Sequence, residues 1–335
     1  MDSNYLIYLF CGQKVIWDKR NFYLYENDEF FKNKMNFLNE KIKEKYGFST
    51  IERVYQYAEK NEILNDQILV HLMLLIFQIT LFEFLTQKHK PNLIVGISCG
   101  EIPALYCSGI VDLDTSIDLS YKRGYYLNQT LSFGGSMVYI ESNDATLREK
   151  IGDLGPVVQA GINSPNTCFY GGKEEAIDEF IVKLNQANFY NKKFFLKGCF
   201  HSPHMESIKK DILDIGFESK QPSIPFISVS NNKMLSGSIQ EDLYNSNSLY
   251  ENIRNTVQTS FTFQRIFTDI EKSQSIKKAI IYEMCPFSSN NDYITDILQS
   301  VEGNKLSMDQ TLFCLPSKPI IDTNFLFDEL QMLLN

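Results

Sequence analysis

Leu93-Ile94-Val95-Gly96-Ile97-Ser98-Cys99-Gly100-Glu101 joins branched apolar residues to G-x-S-x-G-E, and Ile102-Pro103-Ala104-Leu105-Tyr106 continues as a predicted helix. A buried strand, a tight turn and a helix form the setting of a nucleophile elbow. The glycines let strand and helix come close enough to force the turn, with Ser98 at its tip. The backbone N–H of Cys99, at the helix start, then faces any oxyanion formed at Ser98.

Upstream, Pro91 resets the chain after a long helix predicted over residues 65–86. Its apolar run, 68–85, is broken by His71, Gln78 and Glu83, so a buried helix is expected rather than a membrane span. Tyr5 to Phe10 reads as the first strand, and residues 28–45 as a helix with Phe30, Phe31, Met35 and Leu38 at core spacing. Downstream, residues 114–130 read as a helix carrying Lys122-Arg123-Gly124. The segment that follows reads strand 137–141, helix 145–151, strand 157–163, strand 167–171, helix 174–188, strand 192–196. That β-α-β-β-α-β order is ferredoxin-like. Inserted between the elbow and Gly198-Cys199-Phe200-His201, it builds a second lobe and a cleft. A further strand is expected at 225–230, and the Ser/Asn-rich stretch 245–249 reads as a surface loop.

At 335 residues, 44% hydrophobic and 13% aromatic, the chain can bury a substantial core. A net charge of −9 leaves no basic excess to displace counterions from nucleic acid, so no nucleic-acid partner is expected. No basic region precedes an apolar run at the N-terminus, so no signal peptide is read. Seven cysteines at 11, 99, 107, 168, 199, 285 and 314 contain no C-x-x-C, which suggests reduced thiols in a cytoplasmic protein; a monomer is expected.

Ser98 needs a base, and histidine titrates in the right range. His71 lies in the apolar helix and His89 in a Lys-His-Lys run, so both read as structural. His201, beyond the inserted lobe, is the candidate base. His201 and His204 form an H-x-x-H pair with no further ligand cluster, so no metal is expected. Cys99 reads as a packing residue and Cys199 as part of a pocket wall.

The chain resembles malonyl-CoA:acyl-carrier-protein transacylases and the acyltransferase domains of polyketide synthases, the trans-acting ones included. Phe10-Cys11-Gly12-Gln13 resembles the family's F-P-G-Q, Gly96-Ile97-Ser98-Cys99-Gly100-Glu101 its G-H-S-x-G-E, and Gly198-Cys199-Phe200-His201 its x-A-F-H. Arg123, 25 residues after Ser98 (123 − 98), matches the family arginine that grips a malonyl carboxylate. Gly161-Ile162-Asn163-Ser164-Pro165 and Asn252-Ile253-Arg254 resemble weaker signatures. The departures are Ile97 for histidine, Cys11 for proline, Lys14 for glycine, and Cys285-Pro286-Phe287 for G-P-H.

The resemblance implies an α/β fold: an α/β-hydrolase-like large subdomain, 1–131 with 198–335, and an inserted ferredoxin-like small subdomain, 132–197. It implies a Ser98–His201 dyad whose histidine is oriented by a backbone carbonyl. Oxyanion donors are the backbone N–H groups of Gln13 and Cys99, and Arg123, Phe200 and Asn163 bind substrate. The expected activity is freestanding transfer of a malonyl-type group from a CoA thioester to the phosphopantetheine of an acyl carrier protein, without a resident cofactor. Alternatives are transfer of a carrier-bound hydroxy- or aminomalonyl extender, hydrolysis of acyl-carrier thioesters, and a non-catalytic binding subunit. Lys192, Lys193 and Lys197 are expected to form a docking patch for an acidic carrier.

Overall fold

The computed structural model describes residues 3–13, 17–237, 243–273, 276–285, 290–301 and 314–315. Ten strands lie among them: β1 (Ser3–Phe10), β2 (Leu93–Gly96), β3 (Gly135–Ile140), β4 (Val158–Ser164), β5 (Thr167–Lys173), β6 (Asn191–Lys193), β7 (Phe226–Ser228), β8 (Lys233–Leu235), β9 (Ile276–Glu283) and β10 (Cys314–Leu315). The larger sheet runs β10-β9-β1-β2-β7-β8 and is parallel except for the β7–β8 hairpin. Along β1 the side chains alternate between two cores. Leu6, Tyr8 and Phe10 join the core of the Gln67–Leu85 helix, and Ile7 and Leu9 the core of Phe263, Ile266 and Phe267. Phe10 pairs with Gly96, so β1 and β2 end level, and ligands bind at such carboxyl ends of parallel strands.

The second sheet, β4-β5-β3-β6, is antiparallel, and helices Asp144–Ile151 and Glu174–Gln186 follow β3 and β5. It meets the large sheet's connections through backbone bonds: Gly198 N–H to Gly135 O (2.9 Å), Val257 N–H to Ala160 O (2.9 Å) and Ile162 N–H to Val257 O (2.8 Å). These bonds hold the 198–201 segment at the seam between the two sheets.

The Gln67–Leu85 helix buries every residue except Ile68 and Glu83. It is long and apolar enough to cross a membrane, with a mean hydropathy of 2.2, yet 83% of that window is buried inside the fold. A helix apolar on all faces is a core helix when other elements surround it. Helix Leu113–Thr130 crosses it at Gly124, where a Cβ would lie 2.6 Å from Gln67 O and from Ile68 Cα. That close approach sets Arg123 against His71, one turn beyond Gln67.

The stretch 245–249 is not a loop. Asn245 caps a helix, Ser246–Arg254, by accepting from the N–H groups of Asn247 and Ser248, and Leu249 is fully buried. Asn and Ser are loop formers that also start helices, and the buried Leu249, Tyr250 and Ile253 stripe decides between the two. The strand expected at 192–196 is only three residues, Asn191–Lys193.

Candidate active site

Ser98 stands just past the end of β2 with φ 51°, a left-handed conformation that non-glycine residues adopt where a turn is overdetermined by its surroundings. Two glycines provide that constraint. A Cβ on Gly96 would lie 2.7 Å from Glu101 Cα, and one on Gly100 would lie 2.2 Å from Cys11 O and 2.6 Å from Phe10 O. The turn is therefore pressed onto the end of β1, next to Gly12 and Gln13. A Gly100→Ala variant is expected to push the 10–13 segment away, lower stability by about 1–3 kcal/mol and remove acyl loading. Denaturation together with loading checks this; unchanged values for both would show that the close approach is not required.

His201 also has positive φ, 56°, and its N–H is bound by Ile253 O at 3.1 Å. Its Nε2 lies 2.9 Å from Ser98 Oγ and its Nδ1 3.0 Å from Asn255 O. A carbonyl can only accept, so Nδ1 carries the proton and Nε2 is left to accept from the serine. Burial, then the charge of Arg123, push the His201 pKa down to about 3. The imidazole is neutral at ordinary pH, as a proton acceptor must be.

Arg123 is 1% exposed, so it is not a surface helix arginine. Its Nη1 bonds His71 Nε2 at 2.9 Å, and its Nη2 reaches Asn252 Oδ1 at 3.2 Å and Ser98 Oγ at 3.3 Å. Its Nε has no hydrogen-bond partner, and among the described residues no carboxylate lies at ion-pair distance. The buried Glu101 acts on Arg123 electrostatically without a direct ion pair; a buried guanidinium in this position has the charge and the free donor capacity to bind an anion. Asn252 Nδ2 also donates to Ser98 O (3.0 Å), tying the helix 246–254 to the elbow. Glu101 is fully buried, accepts from Ser228 Oγ and Tyr244 Oη (both 2.7 Å), and burial raises its pKa to about 7.

Sequence reasoning read His71 as structural because its neighbours are apolar, and did not place it against Arg123. Asn252 carried only a weak motif. Asn163 is buried and lines the cavity with its Nδ2 unpartnered. Lys14, Pro286 and Phe287 lie outside the described residues.

These groups open onto a cavity of about 560 Å³, lined by Gly12, Gln13, Ser98, Arg123, Phe200 and His201 among others. Gly12 is close enough that a Cβ would sit 3.6 Å from Ser98 Cβ. Lys192 and Phe195 flank the cavity, and Phe195 is 60% exposed. A more open groove of about 1280 Å³, lined by Asn231, Asn247 and Glu251, contains neither Ser98 nor His201. Cys99 packs with Cys11, Cys285 and Leu74 away from the cavity, and burial pushes its thiol up to about 12. Cys11, Glu283 and Cys285 bring ligand atoms within 4.8 Å of one another; Cys11 Sγ donates to Met284 O and accepts from Gln78, and the Glu283 carboxylate accepts from Asn290. His204 joins no such group among the described residues.

A family model described as an acyl transferase domain matches residues 7–277. "Probable polyketide synthase 41" of Dictyostelium discoideum is 29% identical over 98% of the chain, which spans only 13% of that relative's length. The acyltransferase domain of the polyketide synthase PpsC of Mycobacterium tuberculosis superposes with a TM-score of 0.78 at 19% identity, covering 93% of this chain and 91% of that one. The malonyl CoA-acyl carrier protein transacylase of Coxiella burnetii gives 0.75 at 18% identity, covering 100% and 99%. With a serine on a strained elbow, a neutral histidine at its oxygen and an arginine with no direct ion pair beside both, the chain is an acyltransferase and belongs to the acyl transferase domain family.

Proposed function

We propose that the protein moves a malonyl-type acyl group from a CoA thioester to the phosphopantetheine thiol of an acyl carrier protein through an acyl-Ser98 ester. The observation that carries this reading is the buried Arg123 guanidinium, which has no direct ion pair among the described residues and lies 3.3 Å from the Ser98 hydroxyl. Ser98 Oγ attacks the thioester carbonyl while its proton passes to His201 Nε2. The backbone N–H groups of Gln13 and Cys99 hold the oxyanion. The C–S bond breaks, and the departing thiolate takes the proton back from His201. The carrier's thiol then repeats the steps in reverse: it gives its proton to His201, attacks the ester, and Ser98 recovers its hydroxyl hydrogen. Arg123 grips the distal carboxylate, Phe200 bounds the acyl pocket and Asn163 Nδ2 offers a donor within it. No resident cofactor enters this cycle.

The reading divides the molecule into an α/β-hydrolase-like part, 1–131 with 198–335, and a ferredoxin-like part, 132–197, with the cavity between them. For docking, Lys193 is a poor candidate because Glu174 (3.0 Å) and Asp178 (2.5 Å) already neutralise it. Lys192 and Lys197 are exposed and have no such partner among the described residues. The test is intact-protein mass spectrometry with malonyl-CoA, followed by transfer to a carrier protein. Lys197→Glu, outside the cavity lining, is expected to slow carrier transfer several-fold and reduce its salt dependence, while loading from CoA changes far less. An adduct that leaves as free malonate, with none on the carrier, would replace transfer by hydrolysis.

A further inference from the structure

We propose that His71 is the positioning residue of this site: a neutral acceptor that aims Arg123 at the acyl carboxylate without cancelling its charge. This rests on the malonyl reading above. Arginine only donates, so the 2.9 Å contact between Nη1 and His71 Nε2 requires that nitrogen to be unprotonated. The His71 proton therefore sits on Nδ1, which faces the Ser120 backbone without a well-formed hydrogen bond. Histidine usually carries its proton on Nε2, so this tautomer is imposed by Arg123. Burial and the guanidinium both disfavour a charged imidazole here.

Three bonds pin the guanidinium, and every acceptor is neutral: His71 Nε2, Asn252 Oδ1 and Ser98 Oγ. A carboxylate at position 71 would hold Arg123 equally well but form a buried ion pair, leaving little attraction for a substrate anion. An apolar residue would leave Nη1 unpaired and the side chain free to swing. Histidine supplies the bond and leaves the charge. Its location follows from the helix crossing, because Gly124 admits Gln67 and Ile68 at van der Waals distance and so stacks Arg123 on the next turn, at His71. The Ser98 contact has a consequence too. A carboxylate drawn to Arg123 competes for the Nη2 donor that now holds Ser98 Oγ, so binding the distal carboxylate and freeing the nucleophile are coupled.

Two measurements test this. Nitrogen-15 NMR of histidine-labelled protein, with His71 assigned by its loss in His71→Gln, is expected to show the Nδ1–H tautomer, giving way to Nε2–H in Arg123→Ala. In loading assays, His71→Leu is expected to raise KM for malonyl-CoA by about ten- to a hundredfold with acetyl loading changed less than about twofold. His71→Gln, which keeps an acceptor oxygen, should recover most of the loss. An Nε2–H tautomer in the wild type, or equal losses for both donors in His71→Leu, would overturn the assignment and leave His71 structural. A wild type that loads acetyl but no dicarboxylic group overturns the malonyl reading itself, and is seen before any variant is made.

Discussion

Ser98→Ala is expected to gain no acyl mass from malonyl-CoA under conditions that fully load the wild type, with the loading rate down by about four orders of magnitude or more. Nothing nearby can replace the hydroxyl. Cys99 is the adjacent residue, but its thiol is buried away from the cavity with its pKa pushed up to about 12. The Cys199 thiol is also raised by burial and donates to Ser202 Oγ at 3.2 Å. Neither supplies a thiolate at neutral pH. The variant is also expected to fold, since it removes one oxygen whose partners, His201 Nε2 and Arg123 Nη2, both face the cavity. Peptide mapping of the labelled wild type completes the test: an adduct on Cys99 or Cys199 would overturn the serine assignment.

How much of this was legible beforehand follows from the range of each signal. The elbow is local: strand, glycines, serine and helix occupy one short stretch, and the structure keeps all of it. His201 was reachable because few histidines exist and one stands before a Ser-Pro turn. The Asn255 carbonyl that orients it leaves no mark in a sequence, since every residue has a carbonyl. Arg123 was read by its spacing from Ser98, but its burial comes from a helix crossing that depends on Gly124, a contact between segments 56 residues apart (124 − 68). The contact between His71 and Arg123 was the least legible. On a helix wheel His71 is one polar residue in an apolar surround, and only the crossing helix shows that the surround includes a guanidinium. The 245–249 stretch failed for a different reason: Asn and Ser favour loops and helix caps alike, and the buried stripe that follows was given too little weight.

Arg123→Ala should separate substrates rather than abolish chemistry. Removing a charge-assisted clamp worth about 1.5–3 kcal/mol is expected to lower malonyl loading by roughly ten- to a hundredfold while acetyl loading is spared or improved. The substitution also leaves His71 Nε2 and Asn252 Oδ1 without their donor, so some stability is lost. Retained acetyl loading is the internal evidence that the elbow survives. The pH profile gives a second, independent readout. Burial is the larger cause of the low His201 pKa, and the positive charge of Arg123 is the next. Removing that charge makes protonation of His201 easier, so its pKa rises toward the ordinary value near 6.5. Loading depends on the neutral imidazole, so it should fail at a higher pH in the variant than in the wild type as acid is added. Measuring acetyl loading across the acid limb of both proteins tests the sign without involving the carboxylate. An unshifted limb would mean that Arg123 does not act on the base. An equal loss for malonyl and acetyl donors would make the guanidinium a structural group, and the case for a dicarboxylic substrate would fall with it.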